Sequence, residues 1–273
     1  MSDLFFAFSL TLIAGLATAL GGVVMMFAKV NNLKFLSVCL SFSAGVMIYI
    51  SFAEIFVEAL ESLEEAYGNG TGLLIATVAF FAGIALMAII DKFLPDDESH
   101  TELLAEAAAG GTPSSEKGEL KRTGISSAIA ISVHNFPEGL ITFMAALYDP
   151  AMGIAIAIAI IIHNIPEGIA VAAPIYYSTG SKLKAFLASL GAGLTEPVGA
   201  LIAWLLLRNV LDYDFEGVFG IIFAVIGGIM VFVSIHQLLP TAQKYGKHHL
   251  VMKWLFAGMA VMAVSLVILD FAF

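Results

Sequence analysis

Apolar residues run along this chain in long stretches, broken by glycine, proline and small polar clusters such as "GNGTG", "YDPAMG" and "YYSTGSKLK". A helix that crosses a bilayer needs about 20 predominantly apolar residues. Eight stretches meet that length: 4–28, 35–60, 72–94, 124–148, 151–177, 184–208, 217–240 and 250–272. The first follows Met-Ser-Asp without a basic leader and is too long for a typical signal peptide, so it is read as a retained helix. The expected fold is an all-α polytopic membrane protein with eight transmembrane helices. These divide as 3+2+3, which allows an inverted repeat on either side of helices four and five.

One region departs from the pattern. Residues 95–122 hold Asp96, Asp97, Glu98, His100, Glu102 and Glu106, followed by "AAAGGTPSSEKGELKR". Few large apolar residues occur there, and the composition is that of a mobile linker. With no sign of a soluble domain, residues 1–273 are read as a single transmembrane domain.

Composition supports the membrane reading. Hydrophobic residues make up 60% of the 273 and charged residues 12%, against about 45–50% and about 25% in ordinary soluble domains. A soluble protein with so large a core would need polar faces on its helices, and most of these segments lack them. The single cysteine, Cys39, excludes an intrachain disulfide and reads as a small core residue.

Charge sets the orientation. Lys29, Lys34, Lys92, Lys117, Lys121, Arg122, Lys182, Lys184, Lys244, Lys247 and Lys253 fall on one side of the eight spans, and only Arg208 on the other. The positive-inside rule makes the basic side cytoplasmic and places both termini outside. The opposite face carries Glu61, Glu64, Glu65, Asp149, Asp212, Asp214 and Glu216. Such a face either attracts cations or is simply a solvated loop surface.

The chemistry lies in two stretches, "SVHNFPEGLI" and "IIHNIPEGIA", whose histidines are 29 residues apart. Helix four enters from inside near Gly124, so His134 lies about 15 Å deep, halfway through a core about 30 Å thick. Helix five enters from outside and puts His163 about 16 Å deep; helix six brings Glu196 to a similar level of about 16 Å. His134 and Glu138 share a helix face at i, i+4, as do His163 and Glu167, with Asn135 and Asn164 one turn before the glutamates. Pro137 and Pro166 deprive the carbonyls of Val133 and Ile162 of their helical partners, so kinks are expected.

Glu138, Glu167 and Glu196 thus converge at a depth where no lysine or arginine lies. An unpaired carboxylate in the bilayer is costly, so protons or metal cations must supply the counter-charge. Imidazole, amide and carboxylate together suit Zn²⁺, Fe²⁺, Mn²⁺ and related ions. One histidine on an apolar face is usually a packing residue. A six-residue motif repeated at matched depth is hard to explain that way.

Other helices offer weaker candidates. Met47, Ser51, Glu54 and Glu58 share a face of helix two; Met47 is a soft ligand or a packing residue, and Glu54 and Glu58 are placed to form an entrance. Asp91 and His236 fall near inner helix ends, where they mark an exit or simply the interface. His100, His248 and His249 lie on the cytoplasmic side.

The paired "HNFPEG" and "HNIPEG" motifs resemble those of the ZIP (Zrt/Irt-like) divalent metal transporters, in their bacterial zinc-uptake branch. "SFAEIF" on helix two and "GLTEPVGALIAWLLL" on helix six are similar to that branch as well. The resemblance covers the whole chain. It implies a binuclear site, with one ion held by His134, Glu138, His163 and Glu167. A second would be held by Asn135, Glu138, Asn164, Glu167 and Glu196. It also implies ATP-independent uptake of zinc, iron(II) and often other divalent ions such as manganese, cobalt and cadmium, across a bacterial inner membrane. Two departures stand out: the long loop carries only His100, and His236-Gln237 replaces the acidic pair common before "LLP" on helix seven.

The expected partners are divalent metal ions and the lipid bilayer, with no nucleic acid and no catalytic cofactor; a homodimer is compatible with the pattern. No GxxxxGK[ST] loop is present, which argues against direct use of ATP. A metal-selective channel would use the same ligands as a carrier. An intramembrane metallohydrolase is disfavoured, because HExxH and G-x-S-x-G are both absent.

Overall fold

A computed structural model describes residues 2–27, 33–93, 117–207 and 215–272. All secondary structure among them is helical. Helix α1 spans Ser2–Phe27; α2 (Leu33–Ile50) passes through a π-helical turn (Ser51–Ile55) into α3 (Phe56–Tyr67). Then come α4 (Asn69–Asp91), α5 (Lys117–Tyr148), α6 (Pro150–Thr179), α7 (Lys182–Gly193) and α8 (Thr195–Leu207). Helix α9 (Phe215–Phe232) passes through a second π turn (Val233–Leu238) into α10 (Leu239–Tyr245), and α11 spans His248–Ala272.

Seven segments among the described residues are long and apolar enough to cross a membrane: Asp3–Val24, Lys34–Tyr67, Asn69–Asp91, Pro150–Ala173, Lys182–Leu206, Glu216–Tyr245 and His248–Leu269. Helix α5, at 32 residues, has the length. Its hydropathy is lowered by Ser132, His134, Asn135, Glu138 and Thr142. Of these, Asn135, Glu138 and Thr142 are completely buried, as polar side chains inside a membrane protein usually are.

Boundaries differ from expectation where polar residues continue a helix or break one. Lys117 to Arg122, expected in the linker, already form the first turns of α5. The second span runs on to Tyr67, well past residue 60. The sixth breaks at Leu194. Helices α5 and α6 continue through Pro137 and Pro166, and the irregular turns fall elsewhere. His100 lies outside the described residues.

The link between α5 and α6 is short for a local reason. Asp149 caps α6, its Oδ1 accepting from Ala151 N at 2.6 Å and Met152 N at 3.0 Å, with Pro150 at the first helical position. Both features pre-form a helix start. The two helices therefore turn back on each other in antiparallel contact.

Two groups of helices result. Helices α1, α5, α6, α7 and α8 pack on one another, while α2, α3, α4, α9, α10 and α11 form the other group. The seam between them is mainly α2 against α6. In span order the first group is one, four, five and six, and the second is two, three, seven and eight. The 3+2+3 division thus describes order along the chain, not neighbours in space. On one side the seam opens into an apolar groove of about 670 Å³, lined by residues of α4, α5, α8 and α9 that include Phe136 and Pro137.

Candidate metal centre

The two motifs meet where α5 and α6 cross. Glu138, His163 and Glu167 are completely buried. Each offers a ligand atom, and these atoms all lie within 4.8 Å of one another. His163 Nε2 is 3.2 Å from Glu138 Oε1. Three donors so close, from two antiparallel helices, match three of the four positions of a tetrahedral shell, or three of the six of an octahedral one, around one small cation. His134 sits in α5 one turn before Glu138, and its side chain lies outside the described residues.

Helix α8 completes a second cluster. The sixth span breaks after Gly193, and Thr195 Oγ1 donates to Ala192 O at 2.6 Å within the break. Glu196 therefore sits in the first turn of α8, where the unpaired N–H groups of a helix start favour negative charge. Its Oε1 accepts from Asn164 Nδ2 at 2.5 Å, and the same amide donates to Ala14 O of α1 at 2.9 Å. Asn135 Nδ2 donates to Ala192 O at 3.3 Å. Asn135 thus gives its N–H to backbone and Asn164 divides its own between backbone and Glu196, and both leave their oxygens for other partners.

Those oxygens are the informative atoms. Among the described residues, the buried side-chain atoms without a hydrogen-bond partner are Asn135 Oδ1, Glu138 Oε2, Asn164 Oδ1, Glu196 Oε2, His163 Nδ1 and Thr18 Oγ1. Five of the six belong to the residues that the paired motifs and helix six single out. A buried polar atom without a partner costs about 1–3 kcal/mol, more for charged groups. The described lysines all lie within two turns of a helical rod's end, far from this layer. The arrangement has abundant lone pairs, three buried carboxylates and, among the described residues, no lysine or arginine. It suits a divalent cation and fits neither a hydrophobic ligand nor an anion.

Two features are not evident from the motif alone. The first is the role of its last residue. A Cβ on Gly139 would lie 2.0 Å from Glu196 O, and one on Gly168 would lie 1.8 Å from Thr18 O. Each motif glycine lets a neighbouring backbone pass against the ligand helix, α8 in one case and α1 in the other. Small residues in this role are typical of membrane helix crossings. The second is Ser43 of α2. Its hydroxyl donates to Glu167 Oε1 at 3.4 Å, so the other helix group reaches the cluster too. The available signal was its spacing, one turn before Met47 on the same face.

The weaker candidates separate along the molecule. Met47 is completely buried in the core, and its carbonyl accepts from Ser51 Oγ at 2.6 Å. Ser51 and Glu54 belong to the first π turn, and Glu58 follows in α3; both glutamates are half-buried. His236 belongs to the second π turn. Its Nε2 is 3.0 Å from Asp91 Oδ2, while Gln237 Nε2 donates to Asp91 Oδ1 at 2.7 Å. His236 is 58% exposed and Asp91 25%. The first π turn lies midway along its rod and the second towards the C-terminal end of its own; such turns recur at functional sites. His248 and His249 are exposed, with rings 5.9 Å apart.

Known proteins resemble this chain over most of its length. A model of the family described as ZIP zinc transporter matches residues 94–266. The zinc transporter ZupT of Clostridium perfringens is 50% identical over 280 residues, covering 98% of this chain and 97% of that protein. Its counterpart in Chlorobaculum parvum is 51% identical over 269 residues, with 98% and 99% covered. In Lysinibacillus sphaericus the zinc transporter ZupT is 52% identical over 264 residues, with 96% and 97% covered.

Proposed function

This chain belongs to the ZIP zinc transporter family, and from that premise we propose that it carries zinc into the cytoplasm through the cluster between α5, α6 and α8. Iron(II), manganese, cobalt and cadmium are further substrates, since the same nitrogen and oxygen donors serve them. One ion binds His134, Glu138, His163 and Glu167. A second binds Asn135, Asn164 and Glu196 together with the bridging Glu138 and Glu167. The observation that carries this reading is the set of unpartnered buried lone pairs on Asn135, Glu138, Asn164 and Glu196, which a cation satisfies and a basic side chain does not reach.

The protein works as a single membrane domain with eight spans, α5 supplying the eighth, and with both termini outside the bacterial inner membrane. Metal enters past Glu54 and Glu58 and leaves past Asp91 and His236. The helices supply no nucleotide-binding loop, so the ion gradient and metal binding inside the cell drive uptake. Alternating exposure of the cluster to the two sides makes the protein a secondary carrier.

Glu138→Ala tests the shared ligand. Zinc uptake by reconstituted vesicles should fall to background, while the purified variant keeps a cooperative thermal transition. Wild-type uptake in this variant would sink the bridging role.

A further inference from the structure

Ser43 has no part in the motif, yet it touches the ligand cluster. It is completely buried on α2, and its Oγ donates to Glu167 Oε1 at 3.4 Å. Ser41, Ser51 and Ser234, three other buried serines, give their hydroxyls to the carbonyl one turn earlier in their own helices, and Ser37, Ser62 and Ser189 give theirs to a backbone carbonyl of another helix. Ser43 instead points across the seam to a carboxylate of α6. Glu167 is in turn one of three residues whose ligand atoms lie within 4.8 Å of each other. The hydroxyl therefore holds one oxygen of a ligand that the rest of the cluster must share.

We infer that Ser43 is a positioning residue for metal binding: its hydroxyl holds the Glu167 carboxylate in the rotamer that faces His163 and Glu138. The inference rests on the metal-site reading above. A carboxylate side chain has several rotamers, and each bound ion must select the one that points inward. A hydrogen bond from outside the ligand set makes that selection before the ion arrives, as outer partners do at other metal sites. Serine is suited to this as a neutral donor: it stabilises the carboxylate without the full positive charge that would repel the incoming cation. Because α2 belongs to the other helix group, the same contact ties ligand geometry to the seam. Metal affinity should therefore depend on a residue that never touches the ion.

The test is zinc uptake by the full chain in proteoliposomes, comparing wild type with Ser43→Ala, Ser43→Thr and Glu138→Ala. Removing the hydroxyl should raise KM for zinc by about tenfold, the lower end of the usual effect of an outer partner, with kcat within about twofold. Ser43→Thr, which keeps the donor, should restore KM to near the wild-type value. Equilibrium zinc binding to purified protein should weaken in parallel in Ser43→Ala. A wild-type KM in Ser43→Ala, with Glu138→Ala inactive, would overturn the role of Ser43 and leave the metal site standing. A loss of kcat and thermal stability that Ser43→Thr shares equally would overturn it too, since that pattern marks packing. Full activity in Glu138→Ala would instead remove the metal-site reading itself.

Discussion

At the scale of single residues, the site depends on what each asparagine does with its two ends. Asn164 places its N–H group between Glu196 Oε1 and Ala14 O. That leaves Oδ1 without a partner. Asn164→Ala removes both bonds and leaves the buried Glu196 carboxylate unsupported. The variant should lose about 1–3 kcal/mol of stability, read as a lower melting temperature in detergent, and saturating zinc should not recover it fully. A melting temperature equal to wild type would show that Glu196 finds another partner. The sequence already singles out these asparagines by position. Which end of the amide faces the cluster depends on Ala14 and Ala192, 150 and 57 residues away in sequence.

At the scale of helices, the crossings decide whether the ligands meet at all. The glycines that end the two motifs face backbone, at Glu196 and Thr18. Backbone cannot rotate out of the way as a side chain can, so a methyl group there must push two helices apart. Gly168→Ala should cost about 1–3 kcal/mol in stability and reduce zinc uptake at least tenfold, because a small displacement of α6 moves His163 and Glu167 together. Thermal melts and uptake rates on the same preparation would check this; unchanged values for both would mean that α1 yields easily. The π turns belong to this scale too. Nothing local announces them, because Ser51–Ile55 and Val233–Leu238 carry no glycine or proline to mark a change of pitch. Helix six is the reverse case: "GAGLTEP" contains the breakers, yet the break also depends on Thr195 bonding back to Ala192.

At the scale of the whole molecule, one helix group carries the candidate cluster and the other touches it through Ser43, and three carboxylates in the cluster are completely buried. A proton and a divalent ion compete for the same lone pairs, since carboxylate and imidazole bind metal only when deprotonated. Zinc uptake should therefore fall as pH is lowered from neutral to about 5, through loss of apparent affinity, and raising zinc should recover much of it. A rate that instead climbs steeply as the external side is acidified would point to proton-coupled import.

The sequence by itself determined the membrane class, most of the spans and which side chains are candidates for the site. All of these follow from quantities local to the chain: hydropathy over about 20 residues, 1.5 Å of rise per residue and the i, i+4 spacing that puts two ligands on one face. Only the tertiary structure decided which helices are neighbours. Spans one, four, five and six gather around the motifs, and α2 faces them across a seam, because close packing selects partners by shape, through glycines such as Gly139 and Gly168, rather than by order in the chain. It also decided that Ser43 reaches Glu167 and that His236 reaches Asp91, contacts spanning 124 residues in the first case and far-apart helices in the second. A side chain's hydrogen-bond partner depends on what packs against its helix, and no local pattern encodes that.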